Sequence, residues 1–167
     1  KGRYIAFLDS DDIWHKDKLQ KQLNFMKEKD CAFSFTSYQP ISENGQQYHK
    51  IIQVPKTLNY HEYLGNTIIG CLTVLIDRKK TGNFLMPNIR SSHDMALWLQ
   101  ILKRGFTAYG LNENLAFYRL VSTSNTAKKW KAAKDVWRVY TSLEKLPFFY
   151  SVYKFICYSL NAIKKRL

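Results

Sequence analysis

The chain has 167 residues, of which 46% are hydrophobic, 23% charged and 15% aromatic, which suits one domain with a real core and at most an appendage. That composition excludes a disordered tail, a collagen-like repeat and a disulfide-stapled miniprotein. A formal net charge of +13, from 26 Lys and Arg against 13 Asp and Glu, points to anionic partners without choosing among phosphates, nucleic acid and an acidic membrane surface. Cys31, Cys71 and Cys157 fit neither a metal spacing nor a paired framework and suit a reducing compartment. The sequence opens on Lys-Gly-Arg, without a signal peptide or an apolar stretch of membrane-spanning length, and reads as cut from a longer protein.

Taken in chain order, Tyr4 to Leu8 predicts a strand buried on both faces, ending in Asp9-Ser10-Asp11-Asp12. His15 to Lys29 predicts an amphipathic helix with Leu19, Leu23 and Met26 on its apolar side. Cys31 to Tyr38 alternates aromatics with Ser and Thr as a strand does, and Asn44-Gly45 marks a turn that reverses a hairpin. A short helix near Tyr60 to Leu64, a buried strand from Cys71 to Ile76 and a charged turn from Asp77 to Gly82 follow. Ser91 or Ser92 caps a helix whose apolar face is Leu97, Trp98, Ile101 and Leu102, and Gly105 stops it. Thr107 to Leu111 and Leu115 to Leu120 read as two short strands around Asn112-Glu113-Asn114. From Ala127 the pattern is helical, with a break at Leu146-Pro147.

Three carboxylates within four residues repel one another unless a positive group sits among them, and a hard divalent cation bridging a diphosphate supplies that charge. The bland alternative is that Asp11 or Asp12 caps the following helix while Asp9 makes a turn. Asp94 has a comparable choice: it sits in the first turn of its predicted helix, where the dipole favours a carboxylate, and it serves either as simple charge complementarity or as a general base.

The run GRYIAFLDSDDIWHKDKL resembles the metal-binding segment of the inverting family-two glycosyltransferases with the A-type nucleotide-sugar transferase fold. The match includes Gly2, the apolar strand, the Asp-Ser-Asp-Asp turn, Ile13-Trp14 and Lys18-Leu19. The resemblance implies an α/β fold, a partial A-type (Rossmann-like) domain whose mixed sheet has flanking helices and is followed by C-terminal helices. It implies that Asp9 lies near the donor ribose and that Asp11, with Asp9, holds Mn²⁺ or Mg²⁺, with Asp12 in support. The family also carries an acidic pair ahead of an apolar-Trp-apolar helix, some eighty residues after the metal turn. Here Asp94 lies 83 residues after Asp11, so the resemblance assigns it the catalytic base. His93 stands where the family usually has Glu; with Trp98 it is assigned to the acceptor. LAFYRLVSTSNTAKK resembles the family's Tyr-Arg element and Ser-rich loop, which implies donor contacts from Arg119, Ser122 and Lys128. A strand-end Arg119 paired with a surface carboxylate is the structural alternative.

The likeness covers residues 1–127, the later part of a catalytic domain, and leaves 128–167 as a basic aromatic helical appendage. That tail holds ten Lys and Arg against Asp135 and Glu144, a net charge of +8, and nine aromatics from Trp130 to Tyr158. It either attaches the enzyme to the anionic inner face of the cell membrane or packs on the body or a second subunit. The implied function is metal-dependent, inverting transfer of a sugar from a nucleotide-diphosphate donor to a lipid-linked or surface-polysaccharide acceptor, at the cytoplasmic side of a bacterial membrane. The alternative is a non-catalytic membrane- or protein-binding module. Nucleic acid is not expected as a partner, because the charge comes without a recognised nucleic-acid motif.

Overall fold

The computed structural model describes residues 2–46, 50–89, 91–120 and 129–165. β1 (Tyr4–Ala6) leads into the acidic turn and β2 (Ile13–Trp14) leaves it. Then come α1 (Lys18–Glu28), β3 (Phe33–Ile41), β4 (Thr57–Leu58), α2 (Tyr60–Gly65), β5 (Leu75–Asp77), α3 (Arg78–Thr81), α4 (His93–Lys103) and β6 (Ala108–Arg119). The chain ends in α5 (Lys129–Arg138) and α6 (Phe148–Lys164). The strands make a six-stranded mixed sheet ordered β1-β5-β3-β6-β2, with β4 added against β6. β3 and β6 run parallel, and the other pairs are antiparallel. The α/β architecture is therefore as expected.

The core forms where Phe33, Phe35, Val74 and Ile76 meet Leu97, Trp98 and Ile101 of α4. α4 ends at Arg104 and Gly105, the latter at φ 92°, as the Lys-Arg-Gly sequence predicts. Its other end differs from expectation. Ser92 occupies the cap position but its side chain makes no capping hydrogen bond, and its backbone is left-handed at φ 58°. α2 starts on a full capping box instead: Asn59 Oδ1 accepts the Glu62 N–H, and Glu62 Oε2 accepts the Asn59 N–H.

Several predicted elements shift. β1 is only half-buried, because it lies at the end of the sheet with β5 as its partner. Arg3 secures its start by a 2.7 Å ion pair to the buried carboxylate of Asp77. Cys71–Thr73 forms a 3₁₀ turn rather than strand, so β5 begins at Leu75. The two expected short strands are one, β6, which runs through Asn112-Glu113-Asn114 with register shifts against Thr36, Ser37 and Tyr38. Polar side chains carry that crossing: Ser37 donates to Asn112 Oδ1 at 2.6 Å, and Asn114 donates to Gln39 at 3.2 Å. Gly110 is required here, since a Cβ would come within 2.0 Å of the Pro55 carbonyl oxygen. Among the described residues after β3, where a hairpin is predicted, Tyr38 and Ile52 form an isolated antiparallel bridge.

α1 is rotated from its expected setting. Leu19 is exposed, and the inward face is Lys18, Gln22 and Met26. Lys18 donates to Gln22 Oε1 at 2.8 Å, and the Gln22 amide donates to Ser34 Oγ and the Thr73 carbonyl. The Lys18 ammonium also lies 4.4 Å from the centroid of the Trp14 ring. Burial pulls the lysine down to about 7. The folded state then holds fewer protons than the unfolded chain between pH 7 and the ordinary lysine range, so stability rises with pH across that window. Relative to Lys18→Met, the wild-type unfolding free energy is expected to climb by about 1 kcal/mol per pH unit from pH 7 to 9. Urea unfolding of both proteins at each pH measures it; parallel curves would place a compensating charge beside Lys18.

Part of the C-terminal segment packs into the core of the body. Val136, Val139 and Tyr140 are buried in the same cluster as Phe33 and Trp98, and the Tyr140 hydroxyl donates to the Leu64 carbonyl. Pro147 stands at the N-cap of α6, as the Leu-Pro break predicts, and Asn161 donates to the Gly65 carbonyl at 2.8 Å.

Candidate active site

Phe7, just past β1, packs edge-on against Trp98, with ring centroids 5.4 Å apart. Trp98 lies one helical turn after Asp94 on the same face of α4, while Asp9 follows Phe7 by two residues. One aromatic contact thus ties the segment leading from β1 to Asp9 to the helix that carries Asp94 in its first turn. Trp98, expected at the acceptor, is fully buried here and also meets Phe33 at 5.4 Å, packed as a core residue.

Burial raises the Asp94 carboxyl above its ordinary range; the Met95 backbone N–H and neighbouring His93 oppose that, and Asp9 adds to it. His93 itself is exposed at the first position of α4. Cys71 sits among the same acids: burial pushes its thiol up to about 12, and Asp94, Asp9 and Asp12 all push in the same direction. Sequence reasoning missed Cys71, having placed it in a strand. No signal in its neighbours marks it, because the fold sets it in a 3₁₀ turn rather than a strand.

The acidic turn has a division of labour. Asp12 is buried, and its carboxylate accepts the Arg119 backbone N–H at 2.9 Å. Burial pushes it up to about 6, with Asp11 and Asp9 adding to the rise. Asp9 and Asp11 are exposed. β2 brings this turn to the end of β6, because Ile13 and Trp14 pair with Phe117 and Ala116, and the Trp14 indole N–H donates to the Leu72 carbonyl at 2.7 Å.

Arg119, at the end of β6, reaches across that junction. Its Nε donates to the Asp11 carbonyl at 2.7 Å, and its Nη1 to the carbonyls of Ser42 and Glu43 at 3.1 and 2.6 Å. The guanidinium therefore bolts the acidic turn to the turn after β3 and places positive charge beside it. A lysine has one nitrogen and cannot span these carbonyls. Arg119→Lys is expected to lower hydrogen-exchange protection of the Asp12 amide, which donates to the Asp9 carbonyl, by about tenfold. Unchanged protection would show that the turn holds itself. Ser122 and Lys128 lie outside the described residues.

No three or more His, Cys, Asp or Glu side chains are gathered as a metal cage among the described residues. A hard divalent cation does not need one: it takes one or two carboxylates and completes its shell with phosphate oxygens and water. The exposed oxygen donors of Asp9 and Asp11 fit that pattern. His15 is turned elsewhere, with Nδ1 accepting the Asp17 N–H at 3.3 Å.

The sequence profile described as Glycosyl transferase family 2 matches residues 1–87. The chain belongs to this family. It is 57% identical over its whole length to TuaG of Bacillus subtilis, named as a putative teichuronic acid biosynthesis glycosyltransferase. It is 35% identical over 98% of its length to the Escherichia coli protein WfgD, named as a UDP-Glc:alpha-D-GlcNAc-diphosphoundecaprenol beta-1,3-glucosyltransferase. This family-two chain spans 66% and 64% of the lengths of those two relatives. The fold is shared with residues 1–349 of Staphylococcus aureus TarS, solved with UDP-GlcNAc, at a TM-score of 0.57 and 13% identity over 83% of this chain and 41% of that one.

Proposed function

We propose that this chain forms the metal and acceptor side of a glycosyltransferase that moves a sugar from a nucleotide diphosphate to a hydroxyl of a lipid-linked or surface-polysaccharide acceptor, with inversion at the anomeric carbon. The observation that carries the reading is the contact of Phe7 with Trp98, 5.4 Å between ring centroids, which joins the segment leading into Asp9 to the helix that carries Asp94, two distant stretches of sequence. The names of the relatives support it: WfgD is named for a UDP-linked donor and a diphosphoundecaprenol-linked acceptor, and TuaG for teichuronic acid biosynthesis.

An acceptor hydroxyl is a weak nucleophile at neutral pH, so Asp94 takes its proton as the oxygen attacks the anomeric carbon. Desolvation of Asp94 suits this role, because a carboxylate raised above its ordinary range binds the proton more firmly once it has it. Attack from the face opposite the diphosphate inverts the configuration, and no glycosyl-enzyme intermediate is needed. Asp9 and Asp11 would hold Mn²⁺ or Mg²⁺ against the donor diphosphate. When bound, the ion supplies electrostatic stabilisation of the leaving group. Arg119 keeps the acidic turn in place and adds positive charge on the same side. The site of action is the inner face of the cell membrane, where lipid-linked acceptors are reached from the cytoplasm.

The test is a product assay on the full-length parent protein with a panel of UDP-sugars and a short-chain GlcNAc-diphospho-lipid acceptor, with Mn²⁺, with Mg²⁺ and with chelator. Metal-dependent formation of a glycolipid whose anomeric configuration is opposite to that of the donor is the expected result. A product that retains configuration, or transfer unaffected by chelator, would overturn the corresponding part of the mechanism.

A further inference from the structure

The packing of α6 uses one side of the helix. That side meets α2, through the Asn161 bond to Gly65 and a 2.7 Å contact between Tyr150 and His61. The other side carries Phe149, Tyr153, Ile156, Leu160 and Ile163, which are 85, 57, 54, 63 and 59% exposed. Their spacing keeps all five within an arc of about 80°, so they form one stripe along about 21 Å of helix. Single exposed apolar residues are ordinary, whereas an aligned row of this length marks a surface that meets something. Spanning a bilayer is not the answer, since no helix among the described residues is long and apolar enough to cross one.

Charge selects the occupant. From Phe148 to Lys165 the sequence has no Asp or Glu, and it carries Lys154, Lys164 and Lys165. The Lys154 ammonium lies over the rings of Tyr150 and Tyr153, at 5.4 and 5.1 Å from their centroids, beside the stripe. Residues 128–167 together carry a net charge of +8, so pairing the stripe with a second copy would set two such segments face to face. Anionic headgroups neutralise the same charge.

We propose that α6 lies in the plane of an anionic lipid surface, with the Phe149–Ile163 stripe sunk to the acyl boundary and Lys154 and Lys164 among the headgroups. This deepens the reading of the chain as part of an enzyme with lipid-linked acceptors, and rests on that reading only for its purpose. The structure also changes which residues do the anchoring. Val136, Val139 and Tyr140 are taken by the core, and Trp137 packs on Phe155 at 5.5 Å. The immersed face therefore ends in the aliphatic Ile156, Leu160 and Ile163 rather than in an aromatic belt.

Co-sedimentation of the chain with phosphatidylcholine vesicles, with and without phosphatidylglycerol, tests the proposal. Binding to the anionic vesicles that weakens with salt is expected, and the double variant Ile156→Glu, Leu160→Glu should reduce partitioning by about a hundredfold while keeping the wild-type helical circular dichroism. If that variant loses its helical signal, the single variant Phe149→Ser, at the most exposed position of the stripe, takes its place, with a drop of about tenfold expected. Asp94→Asn should bind as wild type does. No binding to anionic vesicles at low salt, or binding that the folded stripe variants retain, would overturn the proposal. So would a stable dimer that the stripe variants dissociate and vesicles do not. Vesicle binding without sugar transfer by the full-length protein would remove the catalytic reading and leave this surface standing; the reverse pattern would remove the surface alone.

Discussion

Asp94→Asn is expected to lower turnover of the full-length enzyme by about 10² to 10⁴, the usual cost of losing one general base, with little change in donor KM. The substitution keeps the size and an acceptor oxygen of the side chain in the first turn of the helix, so the start of α4 should persist. What disappears is the group that takes the acceptor proton. The pH profile supplies a second readout. Burial and Asp9 raise the Asp94 carboxyl, so the wild-type rate should fall, as pH drops, at a value above the ordinary carboxylate range. The residual rate of Asp94→Asn should lack that limb. Full turnover in the variant, or an unchanged acid limb, would send the search for the base elsewhere.

Asp11→Asn should reduce metal-dependent turnover by at least about a hundredfold, through loss of a charged ligand from an electrostatic site. Asp11 is exposed, and the bond that ties it to Arg119 uses its backbone carbonyl, so thermal stability should be nearly unchanged. Asp12→Asn is the contrast. The amide in that variant still offers an oxygen to the Arg119 N–H, and the change removes a carboxylate that burial has already pushed up to about 6. Its effect on metal affinity should therefore be the smaller of the two. Calorimetric titration of Mn²⁺ in the presence of UDP separates the cases without reference to activity. Equal affinity for wild type and Asp11→Asn would take Asp11 off the ligand list, and a larger loss in Asp12→Asn would move the ligand to the buried carboxylate.

The acidic turn, Asp94 at a helix start, the Gly105 stop and the Pro147 break were legible because each rests on local chemistry: crowded charge, dipole complementarity, positive φ and a missing N–H. Other features depend on residues far away. α1 shows why: apolar periodicity favours Leu19 as the buried residue, yet Lys18 and Gln22 turn inward because Ser34 and the Thr73 carbonyl are there to receive the Gln22 amide. Asn112 and Asn114 likewise read as a turn until Ser37 and Gln39 of a parallel neighbour give their side chains partners inside one continuous strand.

Residue type and spacing were enough for the α/β class and for the basic, amphipathic character of the C-terminal helices, while the roles expected of Asp9, Asp11 and Asp94 came from the family resemblance. Those properties exist before any long-range contact forms. It took the folded chain to make Trp98 a core residue joining the strand of Asp9 to the helix of Asp94, to set Arg119 as the bolt of the acidic turn, and to leave one particular side of α6 uncovered. These outcomes turn on which groups meet across the fold: a buried side chain takes whatever complementary surface or hydrogen-bond partner the folded chain brings to it, and the pattern along the chain does not contain that partner.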